Sequence, residues 1–139
     1  MKKLFILLSF ISIAFVTTAQ TKIPVTVENA FKQKFPNAQN VKWAKESKTE
    51  YEAAFTINGK KASANFNTKG EWVETEMQID ASAIPAAAVN LIKEKYALAT
   101  IKEVYSIEKA DGKKEYEVEI TINKKSKELF FDKDWKFIK

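Results

Sequence analysis

The feature that most constrains this chain is an internal repeat with a spacing of 61 residues. Ile23-Pro24 recurs as Ile84-Pro85, and apolar residues at i, i+4 and i+8 follow both, which is typical of an amphipathic helix. The matched apolar pairs are Val27 with Ala88, Ala30 with Leu91, Phe31 with Ile92 and Phe35 with Tyr96. Because proline is well tolerated in the first turn of a helix, a helix is predicted to begin at each Ile-Pro. Pro36 ends the first helix.

A second stretch repeats with a spacing of 65 residues and shows the period-two pattern of β-strands. Glu50-Tyr51-Glu52 recurs as Glu115-Tyr116-Glu117, and the four extra residues fall in the turn at residues 110–113. Alternating apolar and polar residues give each strand one core face and one wet face. Further matched pairs are Phe66 with Phe131, Asn67 with Asp132, Trp72 with Phe137 and Val73 with Ile138. The register of the strand between Ile101 and Ile107 stays open.

These patterns predict an α+β chain of two tandem repeats, residues 20–80 and 81–139, packed together as one domain. Each repeat is expected to be one helix followed by a three- or four-stranded antiparallel meander. Turns are predicted at Asn58-Gly59-Lys60 and at residues 67–70.

Residues 1–19 have the pattern of a signal peptide. Met1-Lys2-Lys3 precedes an apolar run from Leu4 to Val16, and small residues follow up to Ala19. The run is shorter than the roughly 20 apolar residues of a membrane-spanning helix, and no Cys follows it to carry a lipid anchor. We therefore expect cleavage after Ala19, a periplasmic or secreted mature protein, and no stable membrane insertion after cleavage.

The composition removes several kinds of chemistry. The chain contains no Cys and no His, which excludes disulfides, Cys-His and Ser-His nucleophile pairs and the usual zinc sites. All 23 basic residues are Lys, whereas arginine is the residue that recognises phosphates and guanines in fork geometry. The sequence therefore predicts no cofactor, no metal and no nucleic-acid partner, and it predicts that the protein is not an enzyme.

A row of carboxylates, Glu115, Glu117 and Glu119, falls on one face of a predicted strand. Neighbours in such a row stand roughly 6.5 to 7 Å apart, a separation compatible with paired-acid catalysis. A working acid also needs a pocket, and lysines at positions 113, 114 and 124 interleave with the row. The interpretation as a solvated strand face is therefore favoured over an active site.

Phe130 and Trp135 are positions at which the second repeat departs from the first. Phe130 stands where the first repeat has Asn65, and its neighbours are expected to point inward, which places Phe130 on the open face of the sheet. Trp135 stands where the first repeat has the turn residue Gly70. Exposed aromatic residues anchor interfaces, so both are candidate binding residues. The alternative is that they cover the seam between the repeats or an edge strand, since small duplicated domains need extra burial.

On these residues, the chain after residue 19 resembles the tandem PepSY-like family described as similar to beta-lactamase inhibitor proteins. The resemblance rests on the Ile-Pro helix start, the Phe-Pro-Asn-Ala-Gln-Asn-Val-Lys-Trp stretch at 35–43, the Glu-Tyr-Glu strand and the Phe-Asn-Thr-Lys-Gly-Glu-Trp turn at 66–72. The second repeat departs from it at residues 96–99, which lack Pro and Trp. The resemblance implies helices on one side of a curved sheet, with the other side open to a partner.

We therefore expect a non-catalytic exported binding module that engages, inhibits or regulates another envelope protein through the open sheet face. One alternative is a periplasmic carrier or sensor that binds a small ligand between the repeats, which needs a concave and mostly apolar pocket. Another is an enzyme that uses carboxylates alone, with Glu117 and Glu119 as the acids.

Overall fold

The computed structural model describes residues 22–138, so the predicted signal peptide and its cleavage site lie outside the described residues. The described chain contains two α-helices, one 3₁₀ turn and seven β-strands. In chain order these are α1 Val25–Lys34, β1 Gln39–Lys45, β2 Glu50–Ile57, β3 Lys60–Asn67, β4 Trp72–Ile79, the 3₁₀ turn Ala81–Ala83, α2 Ala86–Lys95, β5 Thr100–Lys109, β6 Lys114–Ile122 and β7 Lys125–Asp132.

All seven strands form one antiparallel sheet, in which the spatial order from β1 to β7 is also the order along the chain. The β4–β5 ladder, from Glu74 opposite Lys109 to Ile79 opposite Val104, joins the first four strands to the last three. The α+β class predicted from the sequence is therefore confirmed. One helix precedes four strands, and the other precedes three.

Both helices begin directly after a proline. Pro24 and Pro85 occupy the N-cap positions of α1 and α2, where the missing proline N–H removes no helical hydrogen bond. The amides of Phe35 and Tyr96 end the two helices by donating to the carbonyl oxygen four residues earlier, at 2.8 Å in both cases. The predicted helix starts and the predicted end before Pro36 are confirmed.

Both helices pack on the same face of the sheet. Directly opposed residues of antiparallel strands share a face, and the ladders pair Ala62 with Met77, Met77 with Ser106 and Ser106 with Tyr116. Ala62 contacts the core under α1, and Tyr116 contacts the core under α2. The buried members of the first core cluster are Val27, Phe31, Tyr51, Ala53, Phe55, Ala62, Ala64 and Phe66, and those of the second are Ile84, Ala88, Ile92, Val104, Val118, Ile120, Leu129 and Phe131.

The register of β5, which the sequence left open, corresponds to that of β1. Trp43 of β1 lies opposite Ala53, and Val104 of β5 lies opposite Val118. Val104 follows Trp43 at the spacing of 61, and Val118 follows Ala53 at the spacing of 65. Both ladders also have a register shift near the start of the strand, between Gln39 and Lys42 in β1 and between Ile101 and Glu103 in β5.

The counterpart of β4 in the second half is a single β-bridge. In the first half Phe66 of β3 lies opposite Trp72 of β4. In the second half Phe131 of β7 lies opposite Phe137 in an isolated antiparallel bridge. Each residue of the second pair follows its counterpart at the spacing of 65, so the predicted alignment holds at this turn.

Candidate functional site on the open face of the sheet

The open face, the side of the sheet opposite the helices, carries many carboxyl groups in cross-strand rows. One row runs through Ser63, Glu76, Ile107 and Glu115, the next through Glu52, Asn65, Glu74 and Lys109, and a third through Gln78, Tyr105, Glu117 and Phe130. The glutamates that the pairings place on this face include Glu52, Glu74, Glu76, Glu103, Glu115, Glu117, Glu119 and Glu128. The chain as a whole has a formal charge of +5. The open face is therefore acidic on a basic protein.

Four polar side chains of this face are almost completely buried: Ser63 is 2% exposed, Asn65 3%, Glu76 2% and Glu117 1%. The acidic centre hereafter means Asn65, Glu76 and Glu117. Tyr105 and Ile107, on the strand between Glu76 and Glu117, are each 3% exposed. The prediction of a solvated carboxylate row is therefore wrong for Glu117, because the side chains of the neighbouring strands exclude water from it.

Two oxygen atoms of the acidic centre, Asn65 Oδ1 and Glu76 Oε2, receive no hydrogen bond from any donor within residues 22–138. Leaving a buried polar atom unpaired costs about 1–3 kcal/mol, and native proteins contain few such atoms. A ligand that donates hydrogen bonds to both oxygens would recover this free energy on binding.

The pKa of Glu76 is raised from 4.5 to about 9, first by burial and then by the surrounding carboxyl groups. In order of effect, those groups belong to Glu117, Glu74, Glu52 and Glu128. Burial is also the largest cause that raises the pKa of Glu52 and of Glu74. An ionised carboxylate is costly in such surroundings. Glu76 is therefore neutral at pH 7.

Two lysines on the open face form ion pairs with carboxylates around the acidic centre. Lys61 Nζ lies 2.5 Å from Glu103 Oε1, and Lys109 Nζ lies 2.7 Å from Glu115 Oε2. The Tyr105 hydroxyl donates to the other oxygen of Glu103. These pairs place both cations on peripheral carboxylates rather than on Glu76.

Phe130 lies on the open face, directly opposite Glu117 on the neighbouring strand. Tyr105 lies opposite Glu117 on the other side. An aromatic residue therefore lies on each side of Glu117 along this row. Phe130 is half-buried, and its part in binding stays a prediction.

Trp135 lies on the helix side of the sheet. Its ring stacks on Tyr116 with centroids 4.0 Å apart and planes at 9°, and its centroid lies 5.7 Å from that of Phe131. It is half-buried against the second core cluster, and its part in binding stays a prediction. Phe130 and Trp135 therefore do not form one patch, because the turn after β7 returns toward the helices.

The backbone of Trp135 adopts the left-handed conformation of the glycine that it replaces. Its φ is 59°, and that of Gly70 is 82°. In both turns a side-chain oxygen, of Asn67 or of Asp132, accepts hydrogen bonds from the amides two and four residues later. At Gly70 a Cβ would lie 2.8 Å from the Thr26 carbonyl oxygen, so only glycine fits there. Left-handed backbone costs a non-glycine residue about 1–2 kcal/mol.

We expect the Trp135→Gly variant to be more stable than Trp135→Ala by about 1 kcal/mol. Both variants lose the stack on Tyr116, but only alanine keeps a Cβ in the left-handed region. Urea unfolding of the two variants measures the difference directly. An alanine variant as stable as the glycine variant would show that the turn does not hold this conformation.

Comparison with known proteins identifies the family of the chain. The family model described as "Putative beta-lactamase-inhibitor-like, PepSY-like" matches residues 14–58 and 49–139. The chain belongs to this family. The resemblance drawn from the sequence is therefore confirmed, and the two matches together cover every described residue of this PepSY-like protein.

Solved structures share the fold of this PepSY-like protein. A protein from Bacteroides eggerthii, described as a putative periplasmic protein, has a TM-score of 0.72 at 19% identity over 85% of this chain and 87% of its own. A DUF2874 family protein from Bacteroides uniformis gives 0.69 at 21% over 84% and 86%. A BLIP-like protein from Bacteroides fragilis gives 0.61 at 20% over 91% and 86%. At these identities the likeness concerns the fold. No curated protein matches by sequence.

Two further features are absent within the described residues of this PepSY-like chain. Within residues 22–138, no group of three or more acidic residues is placed to hold a metal ion together. No helix in the same range is long and apolar enough to cross a membrane.

The cavity between the two halves of the PepSY-like chain does not favour the small-ligand alternative. It has a volume of about 270 Å³ and is lined by Lys60, Gln78, Ile79, Asp80, Ala81, Lys102, Glu103 and Val104. Most of these side chains are polar, whereas small-ligand sites are mostly apolar. A more aromatic groove of about 330 Å³ lies between α1 and β1, within the first half.

Sequence reasoning missed two members of the acidic centre, Asn65 and Glu76. The available signal was alternation: Glu74, Glu76 and Gln78 occupy one side of β4, and Asn65 separates the core residues Ala64 and Phe66 of β3. Alternation places these side chains on the open face. It does not indicate that other side chains bury them there.

Proposed function

We propose that this PepSY-like chain is an exported, non-catalytic binding module that engages another envelope protein through the open face and thereby inhibits or regulates it. The single observation that carries the proposal is the acidic centre, whose buried acceptor oxygens on Asn65 and Glu76 lack donors within the described chain. A partner that supplies donors there gains hydrogen bonds in a water-poor environment, where they are strongest.

The surroundings of the acidic centre support an interface. Phe130 and Tyr105 lie on either side of Glu117, and aromatic residues carry much of the binding energy in protein interfaces. Both helices lie on the other face, so the open face is not covered by any element of the described chain.

The proposal also covers the internal repeat and the export signal. We infer that the chain is two copies of one helix-plus-meander unit, as the matching registers of β1 and β5 support. We also infer that residues 1–19 are removed on export to the periplasm or the medium. The description of the Bacteroides eggerthii structure as periplasmic supports this location.

Photo-crosslinking tests the proposal. A benzoylphenylalanine at position 130 is expected to form a discrete adduct with one protein of the native envelope, which mass spectrometry then identifies. The same group at Leu98 is a matched control, because Leu98 is 75% exposed and lies in the α2–β5 loop. With the purified partner, Phe130→Ala is expected to weaken binding about tenfold or more, and Leu98→Ala is expected to leave it unchanged.

Thermal unfolding of Phe130→Ala confirms that the variant is folded before binding is measured. Adducts at position 98 but not at position 130 would contradict the proposal. Equal affinities of Phe130→Ala and wild type for the identified partner would contradict it as well.

A further inference from the structure

We propose that the acidic centre is the receptor for one basic side chain, a lysine or an arginine, presented by a protruding loop of the partner protein. This inference rests on the proposed function and states which chemistry the open face recognises. Its basis is a set of acceptor atoms that the fold buries without supplying donors for Asn65 Oδ1 and Glu76 Oε2.

The arrangement of the acceptors suits a group with several N–H donors. Asn65 lies opposite Glu74, and Glu76 is the next residue on the same side of β4, so Asn65 and Glu76 are diagonal neighbours on adjacent strands. Diagonal neighbours in a sheet are about 7–8 Å apart at their backbones, close enough for long side chains to converge. An ammonium has three donors and a guanidinium has five, and neither has an acceptor. Both oxygens are covered by neighbouring side chains, so a basic group donates to them only after those side chains move aside.

The charge of the open face favours a cation as the occupant. The face carries rows of glutamates on a chain whose formal charge is +5. Lys61 and Lys109 pair with Glu103 and Glu115, so they neutralise peripheral carboxylates. The half-buried ring of Phe130 can also attract a cation through its face.

A metal ion is the less suitable occupant. No cluster of three or more acidic residues between residues 22 and 138 has the geometry to hold one. Divalent calcium needs six to eight oxygen ligands, whereas a basic side chain needs only a few acceptors.

Occupation by a cation releases a proton. The groups that face Glu76 are Glu52 on β2, Ser63 and Asn65 on β3, Glu74 on β4, Tyr105 and Ile107 on β5, Glu117 on β6 and Glu128 on β7. Among these, the charges acting on Glu76 are all carboxyl groups, and its pKa is about 9. A bound cation favours the ionised form. The affinity for a basic side chain should therefore rise with pH, by up to about tenfold per unit, and level off near pH 9.

The test uses short cyclic peptides that present one central residue on a glycine-rich loop. That residue is arginine, lysine or citrulline, which has the shape of arginine without its charge. Binding to the full chain is measured by NMR titration in the millimolar range, at about pH 6 and about pH 8. We expect the arginine or lysine peptide to bind about tenfold or more tightly than the citrulline peptide, with the difference larger at the higher pH.

Two variants in the acidic centre and one control variant locate the site. Glu76→Gln keeps the shape of the side chain and is expected to abolish most of the preference for the charged peptide. Glu94→Gln removes a carboxylate on α2, on the other side of the sheet, and is expected to leave the preference intact. Asn65→Ala gives a second variant that leaves the carboxyl groups untouched, and it is expected to weaken binding of the charged peptides.

Each contrary result overturns the inference. These results are equal binding of arginine and citrulline peptides, no binding of any peptide, no effect of Glu76→Gln, or Ca²⁺ binding in place of the peptides. The peptide titration and the photo-crosslinking at position 130 can give different results, so the two proposals can fail independently. Failure of the peptides together with a specific adduct at Phe130 leaves the open face as an interface of another chemistry. Binding of the charged peptides without an adduct at Phe130 would support the recognition of a basic side chain and contradict the proposed contact of Phe130 with an envelope protein.

Discussion

Replacing Glu76 by glutamine is expected to stabilise the protein at pH 8 and to change its stability little at pH 4. The folded pKa of Glu76 is about 9, above the ordinary value of 4.5. Below pH 4.5 the carboxyl group of Glu76 is neutral in both the folded and the unfolded chain, so its ionisation takes nothing from the free energy of unfolding. Between these two values only the folded chain holds the proton, and the stability of the wild type falls as the pH rises, by up to about 1.4 kcal/mol per pH unit. Glutamine does not titrate and avoids this loss.

Urea unfolding at a series of pH values measures the effect. In Glu76→Gln, the slope of unfolding free energy against pH is expected to become less negative, by up to the amount that corresponds to one proton. Part of the slope remains, because the pKa values of Glu52 and Glu74 are also raised. The control is Glu94→Gln, which removes a carboxylate on α2, on the other side of the sheet. A Glu76→Gln slope identical to that of the wild type would show that Glu76 ionises freely in the folded protein.

Replacing Phe31 by alanine is expected to lower the free energy of unfolding by about 3–5 kcal/mol. Phe31 is 4% exposed and forms the centre of an aromatic cluster. Its ring centroid lies 5.4 Å from that of Phe35, 5.2 Å from that of Trp43, 5.1 Å from that of Phe55 and 6.2 Å from that of Phe66. Alanine leaves a cavity among rigid rings that cannot move together to fill it.

Phe31→Leu is the matched control for this cavity. It keeps most of the volume and loses only the ring contacts, so we expect less than half of the alanine effect. Denaturant titrations followed by tryptophan fluorescence suit both variants, since Trp43 is a direct neighbour of Phe31. A loss below about 1 kcal/mol in Phe31→Ala would contradict the packing of α1 on the sheet.

The elements of this fold were predictable because each follows from a local pattern. Pro24 and Pro85 mark the helix starts, and the alternation around Tyr51 and Tyr116 marks two of the strands. The register of β5 was not predictable, because its alternation fits more than one alignment. The pairing of Val104 with Val118 settles it, with an irregularity at the start of the strand that no side-chain pattern announces.

The candidate site was less predictable than the fold. Position on a face follows from alternation, and Phe130 lies on the face that alternation indicates. Burial depends on neighbours brought from other strands. Glu117 belongs to an apparently solvated row in the sequence, yet Tyr105 and Phe130 flank it and leave it 1% exposed. Trp135 shows the same limit, since its stacking partner Tyr116 comes from another strand of the sheet.

Every strand of the sheet pairs with the next strand along the chain. Apart from the β4–β5 ladder, which spans α2, each pairing closes only a short loop. Low sequence separation between contacting residues favours fast folding, because little chain entropy is lost before each contact forms. The first helix and its four strands can also assemble before the last three strands arrive. Were the chain exported from its N-terminus as proposed, its first half would therefore begin to fold while its C-terminal half is still in transit, without waiting for a distant strand to complete the sheet.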